Sequence, residues 1–255
     1  MSSDIERLRI DVLGCPIDAL GWASTLATVL AWAHARESRY VCICNAHSVV
    51  PASQDSSFRR IVVDSDMATP DGFPVAWLMR RLGQTRQERI SGPDLMIKLC
   101  EQAALEKIAI YLLGSTEETL AKLELALVAQ VPGLNISGVY SPPFRLTTAR
   151  EDEALVARIN QAEPGIVFVS LGCPKQERWM AEHSKGIRGV LIGVGAAFDF
   201  HAGVVKRAPV WMRAYGLEWL HRLISEPRRL WRRYLFTNIA FVVGAVRQLL
   251  GRLKD

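Results

Sequence analysis

A chain of 255 residues that is 49% hydrophobic and 22% charged has the composition of a compact globular protein and excludes a disordered tail. The five cysteines, Cys15, Cys42, Cys44, Cys100 and Cys173, are odd in number and form no CxxC pair, which argues against a disulfide framework and a structural zinc site. The net charge of +5 is unevenly placed: from Lys206 onward eleven basic residues face three acids, a net +8, which leaves −3 for residues 1–205.

The amino-terminal MSSDIERLRIDVLG carries acids and arginines and lacks an apolar stretch with a cleavage site, so it does not read as a signal peptide, and an intracellular protein is expected. Short apolar runs then alternate with longer amphipathic ones. Ile10–Leu13, Tyr40–Cys44, Ile61–Val63, Ile108–Leu113, Ile166–Leu171 and Gly189–Val194 read as buried strands. Leu20–Ala35, Asp94–Leu105, Thr116–Val131 and Glu151–Ala162 read as helices. This alternation predicts an α/β fold: a Rossmann-like, mainly parallel sheet with helices on both faces. Such sheets bind ligands beyond the carboxyl ends of their strands.

The composition changes near Lys206-Arg207-Ala208-Pro209, where tryptophans, tyrosines and a phenylalanine begin to interleave with arginines. A core over residues 1–205 and a helical appendage over 206–255 are therefore expected, with Pro227 opening a helix behind a Ser225 or Glu226 cap. The apolar run Leu235–Val246 is about half the ~20 residues a span requires and predicts a helix lying on a membrane, not crossing it.

Several clusters follow strands. Asn45, after Tyr40–Cys44, reads either as a helix cap or as a ligand contact. Asp64 and Asp66 form a DxD, a pattern that can hold a divalent cation or simply start a turn. In Pro70-Asp71-Gly72 the turn holds a carboxylate at the mouth of the sheet, as a general base or as an ordinary Asp-Gly turn. Arg89 stands at the entrance of a helix that Ser91 and Pro93 open, and its planar fork suits an anion. Gly114-Ser115 is a glycine turn into a helix start, where amides favour phosphate. The most specific cluster is Gly172-Cys173-Pro174-Lys175-Gln176-Glu177-Arg178-Trp179, in which Lys175 and Gln176 could hold a diphosphate and a sugar hydroxyl. In the last, Gly193 to Gly203, Asp199 or His201 could bond a base or ribose. Tyr140 and Phe198 complete the candidates for nucleotide contact.

Taken in order, PDG, RISGPDL, GCPKQERW, GAAFDFHAG and RAPVWMRAYGLEWLHRLISEPRRLWRRY resemble the WecG/TagA/CpsF family of glycosyltransferases, over about Tyr40 to Phe236. The resemblance implies an inverting hexosyltransferase that takes a UDP-sugar of the N-acetylmannosamine, its uronic acid or glucose type. The acceptor it implies is a sugar on a polyprenyl (undecaprenyl) diphosphate, in cell-surface or exopolysaccharide synthesis. It makes Asp71 the base and Asn45 a sugar-site neighbour, with Arg89 and Gln176 lining the same pocket and Arg222, Arg229 and Arg232 of the tail reaching in. Relatives often carry Thr where Ile43 stands. No cofactor or metal-binding DxD is implied, so Asp64 and Asp66 are taken as structural.

The expected partners are thus UDP-sugar, the lipid-linked acceptor and, through residues 206–255, the inner face of the cytoplasmic membrane. Self-association would be one way to shield an exposed apolar tail. The alternative, a basic nucleic-acid-binding α/β protein, rests on a pI near 9.1. Tryptophans and apolar runs among the arginines suit an anionic membrane surface better, so no nucleic-acid partner is expected.

Overall fold

The computed structural model describes residues 7–143, 145 and 148–252, without the side chains of Arg229, Arg233 and Arg252. An antiparallel hairpin of β1 (Arg9–Val12) and β2 (Cys15–Asp18) comes first. It is followed by α1 (Trp22–His34), β3 (Arg39–Cys44), α2 (Ala46–Gln54), α3 (Ser56–Val63), β4 (Met67–Pro70) and α4 (Gly72–Arg81). Next are α5 (Gly92–Leu105), β5 (Ile110–Gly114), α6 (Glu117–Gln130), β6 (Ile136–Tyr140), α7 (Ala149–Gln161) and β7 (Ile166–Ser170). Then come α8 (Lys175–His183), a short 3-10 turn, β8 (Val190–Gly193), α9 (Ala197–His201), α10 (Val210–Ala214), α11 (Glu218–Ser225) and α12 (Pro227–Arg252).

Six strands form one sheet in the order β4-β3-β8-β7-β5-β6. β3 with β8, β8 with β7, β7 with β5 and β5 with β6 all pair in parallel. This is the α/β architecture that strand–helix alternation predicts. Central strands covered on both faces are apolar throughout: β5 is buried at every position and β7 at all but the last.

Three elements depart from the sequence reading. Ile61–Val63 is the end of α3, where Asp55 caps the helix and only Phe58 and Val62, four residues apart, are buried. The strand on that side is β4, three residues later, and the DxD therefore straddles a helix end: Asp64 is the C-cap of α3, exposed and paired with Arg60. β2 contains Pro16, and β6 is an edge strand, half-buried along its length with Ser137 and Gly138, so neither shows an apolar run.

The chain divides into two compact units. The first comprises Met1–Trp22, Ile43–Ser91 and Arg207–Asp255; the second comprises Ala23–Cys42 and Gly92–Lys206. The tail from Arg207 groups with the hairpin and with the segments around β4.

Within the first unit, the completely buried Asp18 carboxylate accepts from Arg7 and Arg9, each at 3.2 Å, and from the backbone N–H of Ala68 at 2.7 Å. Arg9 also donates to the carbonyls of Val63 and Ser65, both at 2.9 Å, so one ion cluster ties the hairpin to the α3–β4 connection. α12 packs on α2 and α4, burying Leu230, Phe241 and Ala245. Its Gln248 accepts from the Leu13 N–H at 3.1 Å and donates to the Asp11 carbonyl at 2.8 Å.

The helix that carries the apolar run is longer than the run itself. Leu230–Gly251, 22 residues with mean hydropathy 1.3, suffices by length and composition. Counting only the uninterrupted apolar run underestimates it, because α12 continues through the basic positions at both ends. Its ties to the hairpin nevertheless hold it alongside the first unit in this fold.

Asp18→Ala leaves two arginines and a buried amide without their acceptor, and is expected to cost about 2–4 kcal/mol, read as a lower urea-unfolding midpoint.

Candidate active site

Two strand ends in the first unit bring Asn45 and Asp71 together. Asn45 follows β3 and caps α2: its Oδ1 accepts from the N–H groups of His47 at 2.9 Å and Ser48 at 3.3 Å. Ser48 Oγ accepts in return from the Asn45 N–H at 2.9 Å, which completes a capping box. With Oδ1 committed to the helix, the amide can turn only its Nδ2 elsewhere, and that atom donates to Asp71 Oδ2 at 3.4 Å. The cap and the site contact are two ends of one side chain, so the two sequence readings of Asn45 do not compete.

Asp71 follows β4 and caps α4. Its backbone N–H donates to the Cys44 carbonyl at 2.8 Å, and its Oδ1 accepts from Gly72 at 2.6 Å. Gly72 has φ +75°, the left-handed region that a side chain would strain, so the Pro-Asp-Gly turn requires its glycine. Burial pushes the Asp71 carboxyl above its ordinary value; the Arg89 charge pulls it down, Glu218 pushes it up, and the bonds from Asn45 and Gly72 pull it down.

Arg89 arrives beside this turn because the Ile90 N–H donates to the Pro70 carbonyl at 2.8 Å. Its guanidinium donates to Glu218 Oε2 at 2.8 Å and to the Arg213 carbonyl at 3.2 Å. Arg207 donates to the other Glu218 oxygen at 3.2 Å and to Ser91 Oγ at 3.3 Å. Neither Glu218 nor Arg207 was singled out from sequence. The available signal for Glu218 was its being one of three acids in the basic tail.

Of the tail arginines, Arg222 pairs with Glu226 at 3.9 Å, one helical turn on. Arg232 is exposed, with its guanidinium over the Trp231 ring at 5.2 Å. The Arg229 side chain lies outside the described residues.

The second unit holds the remaining candidates, each after the carboxyl end of a strand. Gln176 stands in the first turn of α8, only 4% exposed; its Nε2 donates to Glu177 Oε1 at 2.9 Å and its Oε1 has no protein partner. Burial pushes the Glu177 carboxyl up, offset in part by that bond. Lys175 is exposed at the head of the same helix. Gly114 ends β5, where a Cβ would run into the Ser170 carbonyl, and Ser115 donates to that carbonyl at 3.1 Å. Tyr140 ends β6 under the Arg158 guanidinium at 5.2 Å.

Phe198 is completely buried in α9. The Asp199 carbonyl accepts from Val204 at 3.0 Å and Val205 at 3.1 Å, which closes the α9 turn, and His201 Nε2 lies 2.9 Å from the Pro93 carbonyl at the start of α5. Among the described residues no group of three or more His, Cys, Asp or Glu could hold a metal ion.

The first unit thus presents a half-buried carboxylate beside a held guanidinium. Such a carboxylate can take a proton, and its energetics are testable apart from any reaction. Its raised folded-state pKa means that the native state binds the proton more tightly than the unfolded chain, so ionising Asp71 works against folding as pH rises. In Asp71→Asn, stability relative to the parent chain should therefore grow as pH rises from about 4 to neutral, read by urea unfolding across that range.

The chain is similar to known proteins along most of its length. The profile of the Glycosyl transferase WecG/TagA/CpsF family matches residues 10–255. An N-acetylglucosaminyldiphosphoundecaprenol N-acetyl-beta-D-mannosaminyltransferase of Bacillus subtilis is 34% identical over 193 residues, 75% of this chain and 73% of the relative. Its counterpart from Bacillus spizizenii is 29% identical over 197 residues, 77% of this chain and 74% of the relative. With a family profile matched almost from end to end and an Asp-Asn-Arg cluster set at its strand ends, the chain belongs to the WecG/TagA/CpsF family and is a glycosyltransferase.

Proposed function

We propose that this glycosyltransferase moves a hexose of the N-acetylmannosamine type from its UDP donor to a sugar carried on a polyprenyl diphosphate, inverting the anomeric carbon, in cell-surface polysaccharide synthesis. The observation that carries this reading is the half-buried Asp71 carboxylate at the N-cap of α4, bonded by Asn45, with the Arg89 charge near it. The activity for which the Bacillus relatives are named supports the sugar class and the lipid carrier.

In the proposed step an acceptor hydroxyl attacks the anomeric carbon. The new carbon–oxygen bond forms as the bond to the β-phosphate oxygen breaks; UDP leaves with that electron pair, and the hydroxyl proton passes to Asp71 Oδ. Burial raises the basicity of Asp71, and the nearby Arg89 charge keeps the ionised form accessible. Gln176, with its free carbonyl oxygen, serves a sugar hydroxyl or amide N–H, and Lys175 the diphosphate. Gly114, Ser115, Tyr140 and Asp199 belong to the same reading as nucleotide contacts, and Arg222, Arg229 and Arg232 as partners for the anionic substrates.

Membrane contact is part of the proposal. Trp211, Tyr215, Trp219, Ile224, Trp231 and Phe236 are exposed apolar or aromatic side chains among the tail arginines, a pattern suited to an anionic interface. A peripheral enzyme at the inner face of the cytoplasmic membrane follows. Membership of a glycosyltransferase family removes the ground for the nucleic-acid reading, which rested on charge alone.

The decisive experiment offers UDP-N-acetylmannosamine and an N-acetylglucosaminyl diphosphate lipid to the purified chain; no transfer with this or the related UDP-sugars would overturn the reading. Transfer should persist in excess EDTA, since metal independence belongs to the proposal. Asp71→Asn should lower kcat about a thousandfold while UDP affinity, measured by calorimetry, changes little. The base must be unprotonated, so the rate should fall on the acid side with a midpoint above the ordinary aspartate value. Replacing Trp211, Trp231 and Phe236 together by serine should weaken flotation with anionic liposomes at least about tenfold; undiminished flotation would remove the tail as the contact.

A further inference from the structure

Glu218 opens α11, and its two oxygens go to different guanidinium groups, Arg89 at 2.8 Å and Arg207 at 3.2 Å. All three side chains are only 18–19% exposed, where charge–charge attraction is less screened than at a solvated surface. Each arginine is held a second time, Arg89 by the carbonyl of Arg213 in α10 and Arg207 by Ser91 Oγ. The clasp therefore joins α10 and α11 to residues 89–91, and Ile90 is itself bonded to the end of β4, one residue before Asp71. Gly216, between α10 and α11, lies so close to Phe73 of α4 that a Cβ would collide with its side chain. The tail segment thus meets residues 89–91 through the clasp and α4, the helix that Asp71 caps, at Phe73.

Arg89 is a long side chain on a connecting segment, and its charge stands near Asp71 only if something holds it there. Without the acid, Arg89 and Arg207 would repel each other, and each would gain rotamer freedom. We propose that Glu218 is a positioning residue: it fixes the Arg89 guanidinium beside Asp71, so that the surroundings of the base are assembled only while α10 and α11 are docked. The proposal rests on the reading of Asp71 as the base. It adds to the tail arginines an acid with a distinct task.

Glu218→Gln keeps the shape of the side chain and removes its charge. Its kcat should fall about tenfold with KM for the UDP-sugar within about twofold, because an interaction needed in the transition state is lost and binding is spared. Placed on an Arg89→Gln background, the same change should cost less than about twofold more, since the group it positions is already gone. Losses that multiply in the double variant, or full activity in Glu218→Gln, would overturn the proposal while parent-chain transfer left the enzymatic reading intact.

Amide hydrogen exchange over residues 210–225 reads the same coupling with no substrate present. Each single variant should raise exchange there, and the double variant no further. Unchanged protection in Glu218→Gln counts against the proposal even if no sugar is ever transferred. If Glu218→Gln fails to fold, Arg207→Gln loosens the clasp from its other side. A lower kcat with looser 210–225 then supports the proposal, and full activity with looser 210–225 overturns it.

Discussion

A carboxylate partly withdrawn from water must be compensated or lose some of its acidity, and the first unit meets that constraint at Asp71. Desolvation raises the carboxyl, and Arg89, Asn45 and the Gly72 amide bring it back toward ionisation. Each compensating group is in turn held: the asparagine by the helix it caps, the amide by a left-handed glycine, the arginine by Glu218 and the Arg213 carbonyl. The opposing influences leave a carboxyl raised by burial and lowered in part by its neighbours.

The same unit shows a second, structural answer to the constraint at Asp18. There the carboxylate is completely buried between two arginines and a backbone amide, and the result is a rivet joining the hairpin to β4. The contrast lies in the partners. Asp18 receives two guanidinium groups directly, whereas Asp71 receives only amide donors and feels Arg89 through space, a weaker compensation that leaves its basicity available. Gln176 in the second unit follows a related logic: its Nε2 is engaged by Glu177, so the amide presents an oxygen and not a nitrogen.

The tail joins these themes. Its excess positive charge and its exposed aromatics suit a membrane surface, yet one residue that ties it to Arg89 is an acid. A segment that touches lipid on one side and clasps Arg89 on the other would link membrane docking to the state of the base.

Much of this was legible in the residues themselves. Continuous apolar runs marked β3, β5, β7 and β8, because strands covered on both faces need no polar alternation, and the ordered motifs identified the family and put forward Asp71, Asn45, Arg89 and Gln176 as site candidates. Three apolar residues at Ile61–Val63 carry no period, and only the burial of Phe58 and Val62 on one face makes that segment a helix. Glu218, Arg207 and the Arg213 carbonyl lie well over a hundred residues from Arg89, and no local spacing encodes a pairing made by chain return. Sequence by itself determined the sheet, the chemistry of the strand ends and the sign of the tail. The tertiary structure alone decided which charges meet, since the energy of an ion pair depends on distance and burial, quantities that exist only after folding.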